Sequence, residues 1–240
     1  VLPSGGAART YALDLGNSIA IDAATTTTLN EDQRGIVRPL GLAADLGAFE
    51  SPDVLYVNDQ FTGAAGSEVD GDLEAVGDQV AYLGTSAFAS VQDALATYTS
   101  FGGTIIINGG TYTDPVDLSA GTVGNITLQL VQDLANTELD VTIQSLTGDA
   151  GDSIITRFHN TAEADLIVES GTFAGGISGT GELEKTSAGL LLLSGTNDYT
   201  GATTVEAGKL EINGTISGAA AITSTDSLSI LGGQFQLAGG

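Results

Sequence analysis

The 240-residue sequence predicts an all-β solenoid, and three observations carry that expectation. A short apolar-x-apolar-x-Gly phrase recurs at Ile105–Gly109, Leu191–Gly195, Leu210–Gly214 and Leu228–Gly232, with a longer variant at Leu166–Gly171. The last three regular copies begin 19 and 18 residues apart and the variant precedes them by 25. A step near twenty suits one turn of a β-solenoid and is too short for a helical-pair repeat. Glycine supplies 34 residues, about twice the average usage of ~7%, which provides the turns.

Within each phrase, positions one and three point to one side of a strand and position two to the other. Leu191, Leu193, Leu210, Ile212, Leu228 and Ile230 should therefore stack inside the coil, each worth roughly 1.5–3 kcal/mol when fully buried. Glu211 and Ser229 should face outward, and Leu192 breaks the alternation. The glycine after each strand lets the chain turn through positive φ. Thr203–Gly208 and Ala221–Thr223 read as further walls of the same coil. The competing architecture is an antiparallel sandwich, whose strands also recur with turn signals every 8–12 residues.

Residues 86–101 have a different period. Phe88, Val91, Leu95 and Tyr98 fall at helical spacing, Ser86 or Ser90 can serve as N-cap, and Gly102–Gly103 closes the segment,. A helix directly before the first strand, Thr104–Asn108, would cover the apolar interior and strand edge of the first coil. Gln234–Gly240 carries neither a helical pattern nor a charged plug. An uncovered last coil there is an aggregation hazard unless further polypeptide covers it.

Charge narrows the partners. Thirty acids face Arg9, Arg34, Arg38, Arg157, Lys185 and Lys209, for a formal charge of −24. Nucleic acid and anionic membrane both require basic patches and are excluded as partners, and no apolar run reaches the ~18 residues of a membrane span. A hydrophobic content of 42% can support a core, which argues against disorder. Cysteine is absent, so there is no disulfide framework and no thiolate chemistry,. Methionine is absent even at position 1, so a chain starting at Val1 is expected to be processed or excised from something longer,. This composition suits a durable extracellular protein.

Three stretches resemble known families. Gly179-Thr180-Gly181, Lys185-Thr186, Leu193-Ser194-Gly195, Tyr199-Thr200-Gly201 and Val205-Glu206-Ala207-Gly208, within residues 178–214, resemble the autotransporter-associated, or passenger-associated, β-strand repeat. Tyr56-Val57-Asn58-Asp59, Phe88–Leu95, Gly103–Ile107 and Gly110-Thr111-Tyr112, within residues 54–113, resemble the opening of a pectate-lyase-like β-helix. Ile19–Ala23, Asp32-Gln33-Arg34-Gly35, Arg38-Pro39 and Asp45–Glu50 resemble a segment that closes bacterial β-helix proteins. Together the resemblances imply a right-handed parallel β-helix with one N-terminal capping helix, on a bacterial surface or secreted. They divide the chain into a tail or closing segment at 1–50, an opening segment with the helix at 51–103, and coils at 104–240.

Few residues suggest chemistry. Asp70, Asp72 and Glu74 alternate in an acidic stretch and could offer oxygen ligands to calcium, although the loop lacks the full EF-hand pattern,. His159 is the sole histidine and, with Arg157, has no partner by spacing,. No nucleophile-elbow signature is present, and no catalytic residue is assigned. The expectation is a structural fibre, sheath or adhesin that associates head to tail as a homo-oligomer. Ile19, Ile21, Arg34, Arg38 and Phe49 of one subunit would meet Leu228, Ile230, Phe235 and Leu237 of the next, with the arginines pairing to Asp32, Asp45 or Glu50. Such a heterologous contact does not close, and so builds a filament. One alternative is a carbohydrate partner: a polysaccharide-binding or polysaccharide-degrading β-helix using Tyr82, Tyr98, Tyr112 or Tyr199 as platforms. The other is an autotransporter passenger.

Overall fold

A computed structural model describes residues 54–71, 80–97, 103–119, 125–131, 140–156, 164–218, 221–230 and 234–236. The chain divides between Asp53 and Val54 into two units, and every described residue belongs to the second.

The described chain opens with β1 (Val54–Val57), β2 (Glu68–Asp70), β3 (Val80–Tyr82), β4 (Ala87–Phe88) and α1 (Val91–Leu95). Coil one follows as β5 (Gly103–Asn108), β6 (Gly110–Tyr112) and β7 (Val116–Asp117). Coil two is β8 (Ile126–Val131) and β9 (Val141–Gly148); coil three is β10 (Ser153–Thr156) and β11 (Leu166–Phe173). In both, the second strand runs over two walls. Coil four is β12 (Gly176–Gly179), β13 (Leu183–Lys185) and β14 (Leu190–Leu193). Coil five is β15 (Thr196–Asn197), β16 (Thr203–Val205) and β17 (Lys209–Ile212). Coil six is β18 (Thr215–Ser217), β19 (Ile222–Ser224) and β20 (Ser227–Ile230), and β21 (Gln234–Gln236) begins another turn.

Each strand pairs in parallel with its counterpart one coil away, which makes a three-walled parallel β-helix. Wall one is the sheet β12-β10-β8-β5-β1-β4, carried on by β15-β18-β21. Wall two runs through β6, the first half of β9, the first half of β11, β13, β16 and β19. Wall three runs through β7, the second halves of β9 and β11, β14, β17 and β20. The one antiparallel pair among the described strands, β2 with β3, lies ahead of the coils. The antiparallel sandwich is thereby overturned.

The period-two pattern makes the core. On wall one Leu55, Ile105, Leu128, Ile154 and Ile177 stand in register and are all fully buried. On wall three Leu191 stacks on Leu210 and Leu193 on Ile212, again with no exposure. Glu211 and Leu192 share an outward row, as expected of Glu211. The walls meet at tight corners. A Cβ on Gly195 would lie 1.9 Å from the Gly175 carbonyl, and one on Gly214 would lie 1.9 Å from the Gly195 carbonyl, so this corner stacks backbone directly on backbone.

Three expectations need correction. Ile105–Gly109 belongs to wall one, whereas the three later regular copies lie on wall three. Leu166 of the longer variant pairs with Leu183 on wall two, and Gly171 is the residue in register with Leu191; the 25-residue interval therefore crossed between walls. The helix is also shorter than 86–101. Ala87–Phe88 is strand, because its backbone pairs with Tyr56–Val57, and Ser86 turns its hydroxyl to accept the Tyr82 N–H at 2.9 Å. Ser90 is the N-cap, accepting the Asp93 N–H at 3.1 Å. The expected end of the helix, including Tyr98, lies outside the described residues. Val91, Ala94 and Leu95 are buried, and α1 packs against β1, β4 and β7, the first strand of wall three.

Candidate functional site

Three places concentrate polar chemistry. The first is the interior of the repeat region. Lys185 lies on an inward row between Val168 and Val205 and has no exposed surface. Its Nζ donates to the Ser187 carbonyl and, at 3.1 Å, to the Ala207 carbonyl, so the ammonium ties two successive coils together at one corner. Burial lowers its pKa, partly offset by the charges of Glu169 and Asp226. Asn197 takes the place of an aliphatic residue on the inward row of wall one. Its Oδ1 accepts the Ile177 N–H at 3.2 Å, and its Nδ2 donates to the Thr215 carbonyl at 2.9 Å. Tyr199 is fully buried, with its hydroxyl 2.5 Å from Thr203 Oγ1. Burial pushes its pKa up to about 12, against the opposing effect of that hydrogen bond. These groups are satisfied within the protein, so their chemistry is structural.

The second place is an acidic column at the corner between walls one and two. Asp140 Oδ1 accepts the Asp165 N–H at 3.1 Å, and Asp165 Oδ1 accepts the Glu182 N–H at 2.6 Å. Each of the two aspartates thus caps the backbone of the coil that follows. Glu184 stands on the adjoining outward row. Its pKa is raised by burial first, then by its hydrogen bond to Glu206 and by the charges of Glu206, Asp140 and Glu182.

The third place is the last described coil. Leu228 continues the row of Leu191 and Leu210, which are fully buried, yet it is 39% exposed. The chain from residue 213 onward carries a single charge, Asp226, and Asp226 Oδ2 already accepts the Gly208 N–H at 2.8 Å.

Other residues singled out in the sequence fall as follows. Asp70 ends β2, opposite Val80, while Asp72 and Glu74 lie outside the described residues. Among the described residues no group of three or more histidine, cysteine or acidic side chains gathers as a metal site. Ile19, Ile21, Arg34, Arg38, Phe49, Arg157, His159 and Leu237 also lie outside, as do the side chains of Ile230 and Phe235, although β20 and β21 carry the last two in register with Ile212 and Ile216. Tyr112 is buried and donates to the Asn108 carbonyl at 2.9 Å. With Tyr199 also inside, neither ring is a surface platform. A small cavity of about 150 Å³ beside α1 includes Asp59, Gln92, Thr111 and Asp114, and Asp59 there is engaged by the Thr111 N–H at 2.9 Å.

Sequence reading missed Lys185 and Asn197 as interior groups. The signal for Lys185 was present: it shares the parity of Leu183 in a strand. Asn197 had none, because the two bonds that join it to neighbouring coils reach 18 and 20 residues away.

A three-walled coil held by stacked aliphatic rows, with its buried polar groups spent on joining coils, defines a parallel β-solenoid scaffold. Residues 183–212, from β13 to the end of β17, match the passenger-associated transport repeat family. The match supports a cell-surface or secreted protein of the passenger type. It takes in coil four from β13 onward and coil five, and does not extend to residues 54–113 or 19–50. No curated protein and no solved structure matches the chain. Among the described residues no helix is long and apolar enough to cross a membrane.

Proposed function

We propose that this chain is a structural part of an extracellular fibre, sheath or adhesin, and that copies join end to end. The observation that carries the reading is the row Leu191, Leu210, Leu228, which passes from complete burial to 39% exposure on the last described coil. A further parallel strand laid there would bury Leu228 and satisfy the backbone edges of β19 and β20, which is strand addition. Sheet edges are ordinarily blunted by charge, and this edge has only Asp226, already held by Gly208. The partner segment is assigned to residues 10–50 of a second copy, and calcium at Asp70, Asp72 and Glu74 remains an accessory of that reading. Scaffold, not catalyst, is the role favoured, since the buried polar groups are committed to coil-to-coil bonds.

Electron microscopy and sedimentation of the full chain test this directly. Filaments are expected from the native chain, and folded monomers from Leu228→Glu, whose exposed position tolerates the change. A native chain that stays monomeric, or filaments that survive Leu228→Glu, would overturn end-to-end joining. Cleavage of a soluble polysaccharide, with or without calcium, would overturn the non-enzymatic role.

A further inference from the structure

We propose that Asn213 is a self-modification site: the Gly214 backbone nitrogen attacks its side-chain amide, and the isoaspartate that results uncouples coil six from coil five. This chemistry is separate from end-to-end joining and does not depend on it.

Asn-Gly occurs twice in the chain, at Asn108-Gly109 and Asn213-Gly214. A glycine after asparagine leaves the following amide nitrogen unshielded by any side chain. Local sequence therefore makes the two pairs equally reactive, and the fold decides between them. At the first pair the fold closes every route. Asn108 has no exposed surface, and its Nδ2 donates to the Val57 and Gly71 carbonyls at 3.1 and 3.0 Å. The Gly109 N–H is held by the Val131 carbonyl at 3.1 Å. Neither rotation of the amide nor entry of water is available there. At the second pair the Asn213 side chain is exposed and makes no hydrogen bond among the described residues. The Leu193 carbonyl accepts both the Asn213 N–H at 2.8 Å and the Gly214 N–H at 3.2 Å, so the attacking nitrogen holds the longer half of a shared bond.

The corner itself creates this pairing. Phe173, Leu193 and Ile212 stand in register, so the residues that follow them, Ala174-Gly175, Ser194-Gly195 and Asn213-Gly214, occupy equivalent corners. Stacked backbone demands the glycine: a Cβ on Gly214 would lie 1.9 Å from the Gly195 carbonyl. Of the three corners, only the one between coils five and six sets a side-chain amide before that obligatory glycine.

The reaction balances with water as its one co-reactant. The Gly214 nitrogen bonds to Asn213 Cγ, the Cγ–Nδ2 bond breaks, and ammonia leaves with the Gly214 amide proton. Water then opens the cyclic imide. Opening at Cγ gives aspartate. Opening at the main-chain carbonyl carbon gives isoaspartate, whose main chain runs through Cβ and Cγ and is one atom longer. A close-packed corner has no place for that atom. It shifts β18, whose Thr215 and Ile216 lie in register with Thr196 and Asn197, and breaks the bond from Asn197 Nδ2 to the Thr215 carbonyl.

Peptide mass mapping of the folded full chain, held in mildly alkaline buffer, reads the reaction. The Asn213 peptide should gain about 1 Da and resolve into aspartate and isoaspartate products. Its conversion should run roughly tenfold or more faster than that of the Asn108 peptide. In denaturant the two peptides should convert at similar rates. Equal rates in the folded chain, or an unmodified Asn213, would overturn the proposal; so would the same difference persisting in denaturant, which would trace it to sequence rather than fold. Hydrogen exchange of the aged chain should show β18 losing protection while β10 and β12 keep theirs. Asn213→Ser copies the Ser194 corner and should neither convert nor loosen. Loosening of β18 in aged Asn213→Ser, or full protection of β18 in the isoaspartate form, would overturn the uncoupling of coil six.

Discussion

The first three coils and the last three turn the same corners by different means. From coil four onward the turn from wall three to wall one is glycine on glycine, at Gly175, Gly195 and Gly214, and the register advances 19 residues from Asn197 to Ile216 and again to Phe235. In the early coils the corresponding advance is 23 residues from Ile105 to Leu128 and 26 from Leu128 to Ile154, and the turns are braced by side chains. Asp152 is the clearest brace: nearly buried, its Oδ1 accepts the Ile126 N–H at 2.8 Å and its Oδ2 the Asp149 N–H at 2.7 Å. Asn108 is a side-chain brace at a different corner, where wall one turns into wall two, donating to the Val57 and Gly71 carbonyls at 3.1 and 3.0 Å. A corner made of backbone fixes the coil length, whereas one made of a side chain tolerates insertions. That is why regular spacing and the passenger-repeat match coincide in the same part of the chain.

The sharpest way to break the distinction is to put a side chain where backbone meets backbone. Gly195→Val places carbon where the Gly175 carbonyl lies, 1.9 Å from the ideal Cβ position. Coils four and five must then separate, at a cost of about 3 kcal/mol or more. Chemical denaturation should show the loss as a lower midpoint or a broken cooperative transition. An unchanged midpoint would mean that the corners are looser than stacked backbone.

The early coils should fail through unpaired donors instead. Asp152→Ala leaves the N–H groups of Ile126 and Asp149 without their acceptor, at about 1–3 kcal/mol each if water does not replace it. Asp152→Asn keeps one acceptor oxygen and should recover about half of the loss. If the alanine and asparagine variants unfold alike, the carboxylate's charge rather than its hydrogen bonds holds the turn.

This contrast also explains how much of the molecule was legible in the sequence. The stacking of Leu191 on Leu210 and Leu228, and the assignment of Thr203–Val205 and Ile222–Thr223 to another wall, follow from period two within strands and a near-constant step between them. The early coils defeated that logic because Asp152, Asn108 and Asp59 bond to groups 26, 51 and 52 residues away. No local pattern announces such a pairing. Leu166–Gly171 misled for a related reason: a strand that crosses from wall two to wall three has no glycine between the walls to punctuate it. The 39% exposure of Leu228 was not readable, since it holds the same period-two position as the buried Leu210 and was expected inside the coil.

Buried polar groups of the regular coils offer a gentler probe. Tyr199 ionises only near pH 12 in the folded protein, whereas an unfolded tyrosine does so near pH ~10. Because the acid's pKa is raised by folding, its contribution is complete below about pH 10 and is lost as the pH climbs toward 12. The native chain should therefore lose roughly 2–3 kcal/mol across that window relative to Tyr199→Phe. Parallel pH profiles for the two proteins would show that the ring is not sealed within the coil.

The smallest effect belongs to the acidic column, which runs from the braced coils into the stacked ones through Asp140, Asp165, Glu182 and Glu184. Glu184 has its pKa raised by burial and by the carboxylates around it, so the folded state holds this proton more tightly than the unfolded chain does. Its contribution is complete below the ordinary glutamate range and disappears as the pH rises through the raised value. At neutral pH the ionised group is a net cost. Glu184→Gln should accordingly melt above the native chain at pH 7, by a margin that shrinks with added salt and vanishes below about pH 4. A margin that stayed constant from pH 4 to 8 would trace the gain to packing rather than to charge. It would also leave the two halves of the coil joined by backbone capping alone, with no electrostatic tension running through the junction.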